Sequence, residues 1–392
     1  MKFLNYRRLS TYPYVFIAVY CGFAVLMLVS ALLSSNINVD FMGRPLGADF
    51  SHYWIAANMS KDGNPATVYD VSQFIKAQED FFRVRYPLPF LYPPTWLLLL
   101  LPLAFFPYLL ALGLWLGLTL GFSLYVIKKI SPHPLTLPIA LASPAVFQNF
   151  FHGQNGFLSA ALLGGGLHML QRNPWAGGVM LGLLSYKPNL WPLIPLALLA
   201  GRYWRALGAT VLTALFLAWC SMMVLGGEAW HAYLYNLDLP MQLLQKGSLP
   251  LEKMVTLFSA LILYGVNMEV AILIQAILML FVGCVIYALW RREVSFEIQA
   301  GGLVLGALLF TPYAFSYDLT LLGLVIAWLV IEGQKNGWLC GEQWLYVMAW
   351  FAPFLVIFQI ILPLPIAASI VHAFFIFLVV KQKKDYRSIS VN

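Results

Sequence analysis

Asp49, in the segment Gly47-Ala48-Asp49-Phe50-Ser51-His52-Tyr53-Trp54, stands directly ahead of a run with helical spacing. Aspartate is favoured as a helix N-cap, which is the plain reading of that position. The chemical reading is a carboxylate held as a general base, able to take a proton from an acceptor hydroxyl during group transfer. His52 and Tyr53 then fall on adjacent faces of the helix, where they can contact a sugar or tune the base.

Three other segments gather polar groups within apolar surroundings, where such groups are costly and usually face a cavity. Phe151-His152-Gly153-Gln154-Asn155-Gly156 is a tight turn; a turn needs glycine but does not need His152, Gln154 and Asn155 together. Ser185-Tyr186-Lys187-Pro188-Asn189 sets a lysine between two apolar half-helices. Lys187 can snorkel to the interface, or it can meet a lipid phosphate. Thr311-Pro312-Tyr313-Ala314-Phe315-Ser316-Tyr317-Asp318 reads as a hairpin. An aromatic belt explains Tyr313 and Tyr317 as well as a pocket does, but it does not explain Asp318. Arg83, Arg85, Tyr86 and Tyr92 lead into the next apolar stretch; either arginine can pair with an anionic headgroup, and loop solubility is the plainer reading.

The chain has no Gly-rich phosphate loop, no HExxH, no nucleophile elbow and no Cys/His metal spacing. A soluble nucleotide donor is therefore unsupported, no cofactor or metal is expected, and a donor dissolved in the membrane becomes attractive.

The elements that must position these groups follow from composition. Hydrophobic residues make up 61% and charged residues 10% of the 392 residues, at a mean hydropathy of +0.78, whereas a soluble domain is about a quarter charged. Residues 14–33, 270–290 and 366–380 are apolar runs long enough, or nearly so, to cross hydrocarbon. Open sheets would leave backbone groups unsatisfied there. The expected fold is an all-α polytopic membrane protein of about twelve transmembrane helices. The first run follows Lys2, Arg7 and Arg8, is longer than a signal-peptide core and lacks a small-residue cleavage site, so it reads as a retained signal anchor. The four cysteines, Cys21, Cys220, Cys284 and Cys340, have no CxxC spacing and read as packing residues.

The net charge of +7 comes in short clusters at helix ends, with no continuous face for a phosphate backbone, so nucleic acid is not an expected partner. Arg7/Arg8, Lys128/Lys129, Arg172, Arg202/Arg205, Arg291/Arg292, Lys335 and Lys381/Lys383/Lys384 can all be cytoplasmic in one threading, with both termini inside. The crossings run near residues 13–34, 93–127, 133–150, 155–171, 174–186, 189–201, 204–225, 268–290, 297–312, 315–332, 341–361 and 363–380. Pro102 and Pro107 can divide the second of these and invert the threading as far as Gly201.

Two segments do not read as spans and fall on the non-cytoplasmic side: residues 35–92, rich in charge from Asp40 to Arg85, and residues 226–253. Residues 49–59 and 71–82 have the spacing of helices lying along an interface, separated by a turn at Gly63-Asn64-Pro65. No repeat and no soluble domain is evident, and the four polar segments come to one surface in this threading.

The order Asp49, Gly63-Asn64-Pro65 with Val68-Tyr69, Tyr92-Pro93-Pro94, Gly153-Gln154-Asn155, Lys187-Pro188 and Thr311-Pro312 through Tyr317-Asp318 resembles glycosyltransferase family 87. That family comprises polyprenyl-phosphate-mannose-dependent mannosyltransferases of the C-type membrane glycosyltransferase fold, and the resemblance covers residues 47–335. It implies a catalytic aspartate in the first external loop, a lipid-phosphate sugar as donor and reaction at the outer membrane face. By position, Asp49 takes the base role and Lys187 the donor phosphate, while His152, Gln154, Asn155 and Tyr317 position sugar or acceptor. Tyr313 stands where members often have histidine, so an Asp-His relay would need His52 or His152 instead.

A polyprenyl phosphate is a leaving group whose charge needs stabilising, and one base and one cation suffice for an inverting transfer. The expected activity is hexosyl transfer, mannosyl by resemblance, to a glycolipid or lipid-linked saccharide. The expected site is the periplasmic or exterior face of a bacterial inner membrane. Two other classes fit the composition: a lipid-sugar flippase, which broken helices also suit although no inverted repeat is present, and a non-catalytic assembly partner whose polar clusters are interhelical glue.

Overall fold

The computed structural model describes residues 12–32, 38–39, 44–82, 89–361 and 365–389. Arg7, Arg8, Asp40, Arg83, Arg85 and Tyr86 lie outside the described residues, as do the side chains of Lys383 and Lys384. Among the described residues the fold is all helical, with no strand and two isolated bridge contacts, Val39 with Pro45 and Met254 with Phe315.

In chain order the helices are α1 (Tyr12–Leu32), α2 (Phe50–Lys61), α3 (Val71–Phe82), α4 (Pro94–Leu100), α5 (Tyr108–Ile130), α6 (Thr136–Leu141), α7 (Pro144–His152), α8 (Gly156–Met169), α9 (Pro174–Leu183), α10 (Leu193–Ala200), α11 (Trp204–Leu225), α12 (Gly227–Tyr235), α13 (Leu239–Gln245), α14 (Leu257–Leu263), α15 (Met268–Arg291), α16 (Phe296–Leu309), α17 (Leu322–Asn336), α18 (Glu342–Ile361) and α19 (Ile366–Ile389).

Among the described residues, five helical stretches are long and apolar enough to cross a membrane: Tyr12–Ser30, Tyr108–Ile130, Trp204–Leu225, Met268–Arg291 and Ser316–Asn336. Each is roughly 30 Å long at helical rise. The stretch read as one crossing at 93–127 is broken instead. It runs as α4, a 3₁₀ turn at Leu101–Phe105 and then α5, because Pro102 and Pro107 remove backbone donors and clash with the preceding turn. Residues 133–150 are likewise divided into α6 and α7, with Pro144 opening the second.

The chain divides into two compact units. The first comprises Met1–Gly121, Asn149–Asn155 and Ala214–Leu249, and the second Phe122–Gln148, Gly156–Thr213 and Pro250–Asn392.

The first unit is organised by aromatic rings. Helix α2 is buried around its circumference rather than along one face: Phe50, Ser51, Tyr53, Trp54, Ile55 and Ala56 are all buried, and at about 100° per residue they lie on every side of the axis. Tyr53 meets Trp96 edge-on at 5.3 Å and Trp115 at 6.1 Å. Burying rings of this size dominates the local energetics, and the Trp54 indole N–H is satisfied by the Phe106 carbonyl at 3.0 Å. Helix α3 does present one buried stripe, Phe74, Gln78 and Phe82. Asp70 caps it, accepting from the Ser72 and Gln73 amides at 2.9 and 3.1 Å. Hydrogen bonds from the Ser72 hydroxyl and from Gln73 hold its carboxyl down at about 2.

The second unit is built on helices apolar all round. Eleven of the fourteen residues of α16 are buried, as expected of a core helix. On α19, Lys381 is not a solvated member of a basic cluster: it is buried, 2.5 Å from both Glu332 of α17 and Glu342 of α18. A lysine reaching this depth must be paired, since an isolated buried charge is far costlier. The cysteines also differ from expectation, Cys21, Cys284 and Cys340 being exposed rather than packed.

Candidate active site

The turn Gly153-Gln154-Asn155 and the start of α2 are pressed together in the first unit. Gly153 has φ +64°, a left-handed conformation that suits glycine, and a Cβ there would stand 2.5 Å from the Phe50 Cβ and 2.8 Å from the Gly47 carbonyl. A Cβ added at Gly47, which has φ +71°, would likewise stand 2.6 Å from Leu112 Cδ1. The turn is held by the buried Trp115 indole, which donates to the Gly153 carbonyl at 3.0 Å. The Asp49 amide donates to the His152 carbonyl at 3.0 Å. Gly153→Ala is therefore expected to lower stability by at least about 2 kcal/mol through strain and clash together; an unchanged melting temperature in detergent would contradict this packing.

Asp49 occupies the N-cap position of α2 without capping it: its side chain makes no bond to the first-turn amides. Its half-buried carboxylate instead accepts from the Gln154 side-chain amide, Nε2 to Oδ2 at 2.9 Å. Behind Gln154 stands a buried network. The Tyr53 hydroxyl donates to Gln154 Oε1 at 2.6 Å, and Asn155 Nδ2 reaches the hydroxyls of Tyr53 and Tyr92 at 3.1 and 3.0 Å. His52 is half-buried one turn along α2. Burial lowers its pKa below the ordinary imidazole value, against the Asp49 charge and a hydrogen bond with Gln78, which raise it. The neutral imidazole is thus favoured at pH 7.

In the second unit, the break after α9 and the hairpin before α17 are tied together. Lys187, 2% exposed, pairs with the fully buried Asp318. The second Asp318 oxygen accepts from the Phe315 amide at 3.0 Å. The Lys187 ammonium lies 5.0 Å from the centre of the Tyr317 ring, which itself stacks on Phe315 at 5.7 Å. A second tie runs from Asn189 Nδ2 to the Tyr313 carbonyl at 3.1 Å. Lys187 is accordingly not snorkelling, and Tyr317 serves as a cation–π platform. Burial raises the pKa of the Tyr313 phenol, so it stays a neutral donor.

Of the residues singled out by sequence, Asp49, His52, Tyr53, His152, Gln154 and Asn155 gather in the first unit, and Lys187, Tyr313, Tyr317 and Asp318 in the second. Tyr92 and Gln78 belong with the first group. Sequence marked Tyr92 only as the lead into Pro93-Pro94, although a residue before proline is restricted to extended conformations and is thereby suited to fixing a side chain. Gln78 carries no local signal beyond being polar within the apolar stripe of α3.

The model of the family described as glycosyltransferase family 87 matches residues 90–312. The chain belongs to glycosyltransferase family 87. No curated protein and no solved structure matches the chain. With its long apolar helices, the chain is an integral membrane glycosyltransferase. The matched stretch contains Tyr92, Gln154, Asn155 and Lys187, while Asp49 and residues 313–318 lie beyond its ends.

Proposed function

We propose that this glycosyltransferase moves a hexose, mannose by the family resemblance, from a polyprenyl-phosphate donor to a glycolipid or lipid-linked saccharide. The reaction would run at the non-cytoplasmic face of a bacterial inner membrane. The observation that carries this reading is Asp49: a carboxylate at an N-cap that leaves its helix uncapped and is aimed by a side-chain amide instead. A cap is the ordinary reason for aspartate at that position, as Asp70 demonstrates in α3.

In the proposed step, Asp49 takes the proton of the acceptor hydroxyl as its oxygen bonds to the anomeric carbon. The bond from that carbon to the phosphate oxygen breaks with its electron pair leaving on the phosphate, so the anomeric centre inverts. Lys187 is proposed for the donor phosphate. It is held paired by Asp318 and backed by Tyr317, and exchanging carboxylate for phosphate keeps the ammonium compensated throughout. His52, His152 and Tyr313 are proposed to contact sugar or acceptor.

Purified protein in liposomes, given labelled polyprenyl-phosphate hexose and a lipid extract, tests the class of function. Covalent transfer of label onto the extract supports the reading. Donor crossing the bilayer chemically intact, without transfer, supports a flippase instead.

A further inference from the structure

The network behind Asp49 contains one group whose direction is unambiguous. The Asn155 backbone N–H can only donate, and it meets Gln154 Oε1 at 3.2 Å. The oxygen of the Gln154 amide must therefore face Asn155 and Tyr53, and its NH₂ must face Asp49. Turning the amide over would set donor against donor at Asn155 and oxygen against oxygen at Asp49. The rest of the chain agrees in direction. Asn155 Nδ2 donates to the oxygens of Tyr53 and Tyr92, and of the two acceptors within reach of the Tyr53 hydroxyl, Gln154 Oε1 at 2.6 Å is nearer than the Tyr92 hydroxyl at 3.1 Å. Gln154 itself is 7% exposed and Asn155 fully buried, so water does not compete for these bonds.

We propose that Gln154 is a positioning residue that holds the Asp49 carboxylate aimed at the acceptor hydroxyl, rather than a contact for sugar or acceptor. The inference rests on the base role proposed for Asp49 and adds how that base is aimed. The titratable groups that face Asp49 are His52 on α2 and the Tyr108 phenol on α5, with His152 contributing its carbonyl to the Asp49 amide. Neither His52 nor Tyr108 is bonded to Gln154 among the contacts above, so a change at position 154 reaches Asp49 directly.

The test is the pH dependence of single-turnover transfer from polyprenyl-phosphate hexose by the full-length protein. Gln154→Glu keeps the shape and sets a second carboxylate against Asp49. The two then share a proton, and the acid limb of the rate profile is expected to move to higher pH by about one unit or more, with donor KM within about twofold of wild type. Tyr53→Phe removes one of the two bonds that orient the amide and is expected to move the limb the same way by less. It serves if Gln154→Glu does not fold. A folded variant whose profile overlays that of wild type, or whose defect is confined to KM, overturns the inference. Loss of transfer in Asp49→Asn alongside an unmoved Gln154→Glu limb leaves the base assignment standing, whereas full activity in Asp49→Asn removes the base assignment itself.

Discussion

Asp49→Asn is expected to reduce the rate of hexosyl transfer by about 10²- to 10⁴-fold, the usual contribution of a positioned general base, while the protein stays folded. The stability expectation follows from geometry. The Asp49 carboxylate caps no amide of α2 and takes one hydrogen bond, from Gln154, which an asparagine oxygen can also accept. The change thus removes proton affinity and little else. Labelled transfer and thermal unfolding, measured on the same detergent preparation, separate the two effects. A folded variant that transfers at the wild-type rate would end the assignment of Asp49 as base.

Lys187→Ala is expected to have the largest effect on stability. Removing one partner of a buried ion pair leaves the other uncompensated, at a cost of about 3–5 kcal/mol, a large fraction of typical domain stability. Both partners are essentially inaccessible, so water cannot relieve Asp318. Loss of activity in the single variant would therefore mix unfolding with loss of donor binding. The pair replacement Lys187→Met with Asp318→Leu separates them. Removing both charges is expected to recover most of the stability, the remainder being the Phe315 amide that loses its acceptor. Donor KM is expected to stay raised by tenfold or more if Lys187 holds the phosphate. A stable double variant with wild-type donor KM would leave Lys187 and Asp318 a structural clasp.

Which features sequence could reveal follows from how local their causes are. The breaks at Pro102 and Pro107 were legible because proline acts on its own turn. The Asp-led start of α2 was legible as a pattern, but not whether Asp49 caps it, since the competing partner, Gln154, lies 105 residues away. Helix α2 misled because a one-dimensional spacing of aromatic and polar residues does not show that other helices pack on every side. Lys381 misled in the same way, since a basic residue near a helix end reads as exposed until its partners are in place, and Lys187 was legible as a candidate but not as a residue buried against Asp318. Those partners are 131 residues off for Asp318 and 39 off for Glu342. Tyr317 and Asp318 were marked as candidates, and their pairing with Lys187 supplies the reason that aromatic-belt statistics did not.

The central claim is that the sugar arrives on a lipid phosphate within the membrane. Purified protein supplied with the same labelled hexose, either as polyprenyl phosphate or as a nucleotide sugar, with a lipid extract as acceptor, tests it directly. Label is expected to pass to the extract only from the polyprenyl phosphate, giving a product of inverted anomeric configuration. Transfer from the nucleotide sugar, with the lipid-phosphate donor left untouched, would contradict the account.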